Sequence, residues 1–284
     1  MNLTPAPLLF LHANGYPVGV YRAFLNELSA ERTVYSVDAI GVGARQRPPH
    51  GWGSMLQQVL THIGTLPAGP LDLVGHSMGG WLAAMAAARL PERRCRAVLI
   101  DAPLVLGWRA ALVSTARATG LTWKVGPAPV AARRRHRWPS REAARQHLGG
   151  KAFVQRWAPG VLDDFLDAGL CADPAGGFTL VIPRETERDI YATLPHREAL
   201  GAVCRLRARG TLPGFVAGRD SEELRLAGRE QNRRFWGANW IELPTGHLVP
   251  MEAPEMCARA VVDMLAHRLP GLGGGQGSSA RSPA

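Results

Sequence analysis

The feature that most constrains this chain is the hexapeptide Gly75-His76-Ser77-Met78-Gly79-Gly80, set between an apolar run at 71–74 and an alanine-rich, helix-forming stretch at 81–90. A chain that leaves a buried strand and enters a helix within so few residues must turn sharply. The residue at the apex then takes a strained backbone conformation, and flanking glycines remove the Cβ atoms that would collide around it. The local order is strand, tight turn, helix, and the rest of the chain can be read against that unit.

Leu8–Leu11 is a short apolar run closed by His12-Ala13-Asn14-Gly15, a strand and its turn. Residues 21–28 place Phe24, Leu25 and Leu28 at helical spacing, and the β-branched run 33–37 ends in the turn-rich 38–43, where Asp38 is expected to anchor the turn. An amphipathic helix over 52–66 is stopped by Pro67-Ala68-Gly69-Pro70, and strands follow at 71–74 and 97–100. Strands alternating with helices predict an α/β fold: a mostly parallel sheet flanked by helices on both faces.

At Pro103 the rhythm breaks. Residues 104–210 carry helical stretches, many prolines and four of the eight tryptophans. Ser140 is placed to cap a helix over 141–148, and a second helix is expected over Val161–Ala168. The alternation resumes with strands at 213–217 and Trp240–Leu243 and a closing helix over 254–268. The expected division is a core in two parts, 1–103 and 211–270, a helical cap insertion at 104–210, and a disordered Gly- and Ser-rich tail at 271–284.

Composition bounds the function classes. The four cysteines lie far apart and form neither a metal motif nor a disulfide framework, so they are expected to be reduced. With no basic leader and no apolar run of membrane length, the expectation is a cytoplasmic protein without a membrane span. The net charge is +10, and residues 104–210 hold 17 Lys and Arg against 9 Asp and Glu. The cluster Arg133, Arg134, Arg135, Arg137, Arg141 and Arg145 would favour an anionic small-molecule substrate if it faced the pocket, and would be a solvated helix face otherwise. No nucleic-acid-binding signature accompanies the charge, so no nucleic-acid partner is expected. Oligomeric state has no signature.

The chemistry follows from three residues in chain order. A serine hydroxyl is a poor nucleophile until an imidazole accepts its proton, and the imidazole needs a carboxylate to fix its tautomer. Ser77 sits at the sharp turn, and His247 follows the last strand in Thr245-Gly246-His247-Leu248-Val249-Pro250. Asp220, in the turn after 213–217, is the favoured acid; Asp101, which ends the strand at 97–100, is its rival. His12 and His76 are expected to brace loops, and the other histidines lack ligand spacing, so no metal and no cofactor is expected.

Through these motifs the chain resembles the α/β-hydrolase superfamily with a cap domain, over nearly all of residues 8–268. The resemblance implies an oxyanion hole built from the backbone N–H groups of Asn14 and Met78. It also marks one departure: the usual His-Gly-x turn after the first core strand reads His12-Ala13-Asn14. The implied activity is hydrolysis of an ester-like acyl bond through an acyl-enzyme. Thioester, lactone and C–C bond hydrolysis and peracid formation use the same triad. Serine at the turn, where epoxide hydrolases and haloalkane dehalogenases carry aspartate, argues against those two. A non-catalytic binding protein of the same fold would be expected to have lost a triad residue.

Overall fold

Alternation of side chains along each central strand builds the molecule, because both faces of the sheet are covered. In the computed structural model, which describes residues 5–42 and 51–266, six strands form the main sheet. They are β1 (Leu8–Leu11), β2 (Val34–Ser36), β3 (Leu71–His76), β4 (Cys95–Ile100), β8 (Gly214–Gly218) and β9 (Trp240–Leu243), in the order β2-β1-β3-β4-β8-β9 and all parallel. Leu9, Leu11, Leu73, Leu99 and Phe215 enter the core on one face, and Leu8, Phe10, Val74, Val98 and Val216 enter the core on the other. A one-residue slip in register would exchange the two sets.

The first face is covered by α2 (Gly51–Thr65), α3 (Met78–Arg89) and α9 (His196–Ala208), the second by α1 (Arg22–Ser29) and α13 (Pro254–Ala266). Helix α3 is nearly all alanine, glycine and small apolar residues, and every position from Met78 to Ala88 is buried. The small side chains let it lie close to β1, β3 and β4, which fixes where its N-terminus meets the sheet.

Between β4 and β8 the chain forms α4 (Gly107–Ala118), α5 (Pro127–Arg133), α6 (Arg141–Gly149), α7 (Val161–Ala168), α8 (Arg184–Ala192) and then α9. Ser140 caps α6 by accepting a hydrogen bond from the Ala143 N–H. The helical expectation for this segment missed three short strands, β5 (Arg137–Trp138), β6 (Leu170–Ala172) and β7 (Phe178–Leu180), which form a separate antiparallel sheet in the order β5-β7-β6. Two to three residues each are too short to show a period. The second half of the chain closes with α10 (Glu222–Ala227), α11 (Arg229–Trp236) and α12 (Val249–Glu252) ahead of α13. The expected tail at 271–284 lies outside the described residues.

Candidate active site

Ser77 occupies the turn between β3 and α3 at φ 52° and ψ −115°, a region that non-glycine residues rarely enter. The strain is held by close packing. A Cβ at Gly75 would lie 2.1 Å from the Gly79 carbonyl oxygen, and one at Gly79 would lie 2.0 Å from that of Leu11. Both positions therefore require glycine, and Gly79 brings the start of α3 directly against the exit of β1. The Ser77 N–H donates to the Ile100 carbonyl at 2.9 Å, tying the turn to the end of β4.

His247, on the loop after β9, reaches back over this turn. Its Nε2 lies 3.1 Å from Ser77 Oγ, and its Nδ1 lies 2.6 Å from Oδ2 of Asp101. An ionised carboxylate only accepts, so Nδ1 carries the proton and Nε2 is the acceptor for the serine hydroxyl. The Asp101 carboxylate is fully buried and held by two further donors, the Gly218 N–H to Oδ1 at 3.1 Å and the Ser221 hydroxyl to Oδ2. Asp101 also has a positive φ, 39°, with its N–H paired to the Val216 carbonyl.

The favoured acid of the sequence reading is thus corrected at the level of geometry. Asp220 does not approach His247: its side chain is 57% exposed and accepts from Arg156 Nη2 at 3.3 Å. The reason is local. Ser221 is the N-cap of α10, accepting from the Leu224 N–H, and the first turn is acidic with Glu222 and Glu223. That pattern was legible as a helix start, and it puts Asp220 just outside the cap, on the surface.

His76 and His12 brace the loops, as expected of them. The His76 Nε2–H donates to the His247 carbonyl at 2.9 Å, so its Nδ1 accepts from the Tyr21 hydroxyl, also at 2.9 Å. Tyr21 in turn accepts from the Ala13 N–H. One chain of hydrogen bonds therefore links the turn after β1 to the loop carrying His247. His12 donates through Nδ1 to the Ala13 carbonyl and accepts the Ile40 N–H at Nε2, and burial lowers its pKa to about 4, so it stays neutral. Burial likewise pushes His76 well below the ordinary histidine value.

The backbone N–H groups of Asn14 and Met78 have no acceptor among the described residues. Asn14 is buried, and its Nδ2 donates to the Glu187 carbonyl of α8 at 3.0 Å, so the segment between β4 and β8 grips the turn from above. Alanine at position 13 is accommodated, with its side chain in the core. Tyr16, Tyr191, Glu187 and Glu223, none of them singled out from sequence, form a polar group here with Arg134 of the basic cluster: both phenols sense the charges of Glu187, Glu223 and Arg134.

Electrostatics favour the imidazolium. Burial works against a charged His247, but the Glu223 carboxylate, 3.7 Å from Nδ1, the hydrogen bond and charge of Asp101, and the charge of Glu252 together raise its pKa above the ordinary value. The ligand atoms of Asp101, Glu223 and His247 converge within 4.8 Å. Asp101 and His247 spend the relevant atoms on each other, so this group does not offer three free ligands.

The basic cluster divides. Arg137 pairs with Asp173, Arg141 with Asp167, and Arg145 with Asp163. Arg134 alone of these turns inward, to Glu187 at 2.5 Å.

The site thus sets a strained serine at a strand–helix turn, an imidazole against it and a buried carboxylate behind that imidazole. The sequence matches the Alpha/beta hydrolase family over residues 8–260, and the chain belongs to that family. Among curated relatives it is 33% identical to the mouse (Lyso)-N-acylphosphatidylethanolamine lipase over 101 residues, covering 34% of this chain and 30% of that one. It is 38% identical to the 2-hydroxy-6-oxo-2,4-heptadienoate hydrolase of Pseudomonas putida over 103 residues, 34% and 37% of the two chains. The chain thus spans about a third of the length of these relatives. Among solved structures, E-2-(acetamidomethylene)succinate hydrolase superposes with a TM-score of 0.68 at 19% identity, over 92% of this chain and 91% of that one. The thioesterase domain from the curacin biosynthetic pathway gives 0.67 at 19%, over 91% of each. Among the described residues no helix is long and apolar enough to cross a membrane.

Proposed function

We propose that this chain is a serine hydrolase acting on an ester-like acyl bond, with Ser77 as nucleophile, His247 as general base and acid, and Asp101 as the orienting carboxylate. The observation that carries this reading is the placement of one imidazole between Ser77 Oγ at 3.1 Å and Asp101 Oδ2 at 2.6 Å. As Ser77 Oγ attacks the carbonyl carbon, its proton passes to His247 Nε2, and Asp101 stabilises the resulting imidazolium. The oxyanion forms against the free N–H groups of Asn14 and Met78, each contributing about 3 kcal/mol to lowering the barrier. His247 then gives its proton to the leaving group, and water, deprotonated by the same nitrogen, releases the acid and restores Ser77.

The cap expected at 104–210 is read as 104 to about 195, because α9 packs on the main sheet, and α8 of this cap holds the oxyanion turn through Asn14. The four unpaired thiols support a reducing, cytoplasmic setting. The substrate is a small molecule.

The test is labelling with a fluorophosphonate followed by a panel of short p-nitrophenyl esters, thioesters, lactones and a vinylogous 1,5-diketone. Label is expected on Ser77, with turnover of at least one acyl class, and Ser77→Ala should abolish labelling and lower kcat by about 10⁶. Labelling that persists in Ser77→Ala refutes the nucleophile. Labelling with turnover confined to the diketone moves the reading to C–C hydrolysis.

A further inference from the structure

A surface helix ordinarily turns its apolar stripe inward. Helix α4 does the reverse: none of its residues is buried, and its exposed positions include Trp108, Ala111, Leu112, Thr115 and Ala118. These recur at i, i+3, i+4, i+7 and i+10, one face of the helix. The half-buried side, with Ala110, Val113 and Ser114, lies toward α9 and the 3-10 turn Leu121–Trp123. The exposed apolar surface continues from there. Leu121, Trp123 and Val125 are exposed around that turn, and Val130 is 64% exposed on the adjoining α5. Six of the ten large exposed hydrophobic residues among the described ones fall between 108 and 130, with Trp108 at 63% and Leu112 at 59%. Scattered singly they would need no explanation; gathered on one face they mark a contact surface.

Charge selects the partner. From residue 102 to 141 the sequence holds no Asp or Glu and eight Lys or Arg. Arg109 stacks over Trp108 at 4.6 Å and Arg188 over Trp123 at 5.8 Å, so guanidinium groups rim the apolar residues. The nearby acidic groups, Glu198 of α9 and Asp189 of α8, are engaged by Arg117 and Arg188. A second copy of this chain docking by this face across a two-fold axis would set the basic rim against itself. A layer of lipid phosphates complements it. Tryptophan favours the boundary between headgroups and acyl chains, and Arg and Lys can lay their stems on apolar surface while the charge stays among phosphates.

We infer that the face formed by α4, the 121–125 turn and α5 docks this protein flat on an anionic lipid surface. Trp108, Leu112, Trp123 and Val125 enter the headgroup boundary, and Arg109, Lys124 and Arg133 meet phosphates. Among the described residues no helix is long and apolar enough to cross the bilayer. The cytoplasmic leaflet, which carries anionic lipid, is the matching surface for a protein with reduced thiols. The inference does not depend on the triad.

The experiment is cosedimentation of the full chain with vesicles of phosphatidylcholine alone and of an equal mixture of phosphatidylcholine and phosphatidylglycerol, at low and high salt. The protein should partition onto the mixed vesicles with a blue shift of tryptophan emission, and far less onto neutral ones. Trp108→Ser with Leu112→Ser should weaken binding about tenfold or more. Lys124→Gln and Arg133→Gln should each weaken it about fivefold. Thermal unfolding by circular dichroism and turnover of a short soluble ester should stay at the parent level, and Trp123→Ser with Val125→Ser serves if the first pair fails to fold. Absence of partition onto the mixed vesicles overturns the inference. So does a concentration-dependent dimer that Trp108→Ser abolishes, or retention on immobilised polyglutamate without vesicle binding, which would assign the face to a second copy or to an acidic protein.

Discussion

Two strand exits lie side by side at the same end of the sheet, and each ends in an aspartate. After β4, Asp101 continues the ladder, pairs its N–H with β8 and buries its carboxylate under His247, Gly218 and Ser221. After β8, Asp220 pairs its N–H with the Thr245 carbonyl and turns its carboxylate outward to Arg156. Residue type and chain order are the same, while burial and hydrogen-bond partners are opposite. A carboxylate that must stabilise an imidazolium acts through a short, desolvated hydrogen bond, and only the first exit supplies one.

Substitution breaks this comparison most sharply. Asp101→Asn should lower kcat on an ester substrate by about 10⁴, because an amide cannot hold the Nδ1–H tautomer. Asp220→Asn removes only a surface ion pair, worth at most about 1 kcal/mol, and should leave kcat within a few-fold of the parent. The reverse ranking would return the acid to the second exit.

The second exit still contributes through Glu223, the third residue beyond Asp220, which faces Nδ1 at 3.7 Å. The groups around His247 are Asp101 after β4, Glu223 on α10, Glu252 on α12 and the neutral His76 on β3. Because the net shift is upward, the basic form of His247 should appear at higher pH than that of an ordinary histidine, and kcat/KM should rise with pH through that raised pKa. Glu223→Gln removes a negative neighbour, lowers the pKa and moves this limb to lower pH. The half-exposed Glu223 is screened by solvent, so the displacement should be modest. An unmoved limb would mean that Asp101 alone sets the base.

The smallest effect concerns the basic cluster. With Arg137, Arg141 and Arg145 matched by Asp173, Asp167 and Asp163, and Arg134 by Glu187, little uncompensated charge faces the site. A neutral ester and its carboxylate-bearing analogue should therefore differ only a few-fold in kcat/KM between low and high salt, where a Debye length of about 8 Å applies at physiological ionic strength. A strong preference for the anion that collapses with salt would show that the cluster faces the substrate after all.

The alternation of short apolar runs with helical stretches made the main sheet readable, because the interior strands β1, β3, β4 and β8 are largely buried on both faces and their sequences are correspondingly apolar, while β9 at the edge is half-buried. Ser77 and His247, which the fold brings to 3.1 Å of each other, were legible as candidates, one from its glycines and the other from its place after the last strand. The acid was not, since two aspartates follow adjacent parallel strands and the choice depends on where each loop turns its side chain. Ser221 held the clue: its hydroxyl caps α10 and reaches Asp101, which sends the preceding residue to the surface. Strands β5, β6 and β7 were hidden by their brevity, and Glu187 and Asn14 meet across 173 positions of sequence, a pairing no local pattern announces.

The hydrogen bond from His247 Nδ1 to Asp101 can be observed without substrate, as the far-downfield imidazole proton in the one-dimensional NMR spectrum of the resting protein. That resonance should be present in the parent, retained in Asp220→Asn and Ser77→Ala, and lost or moved strongly upfield in Asp101→Asn. A resonance that survives Asp101→Asn and vanishes in Asp220→Asn would contradict the assignment of Asp101.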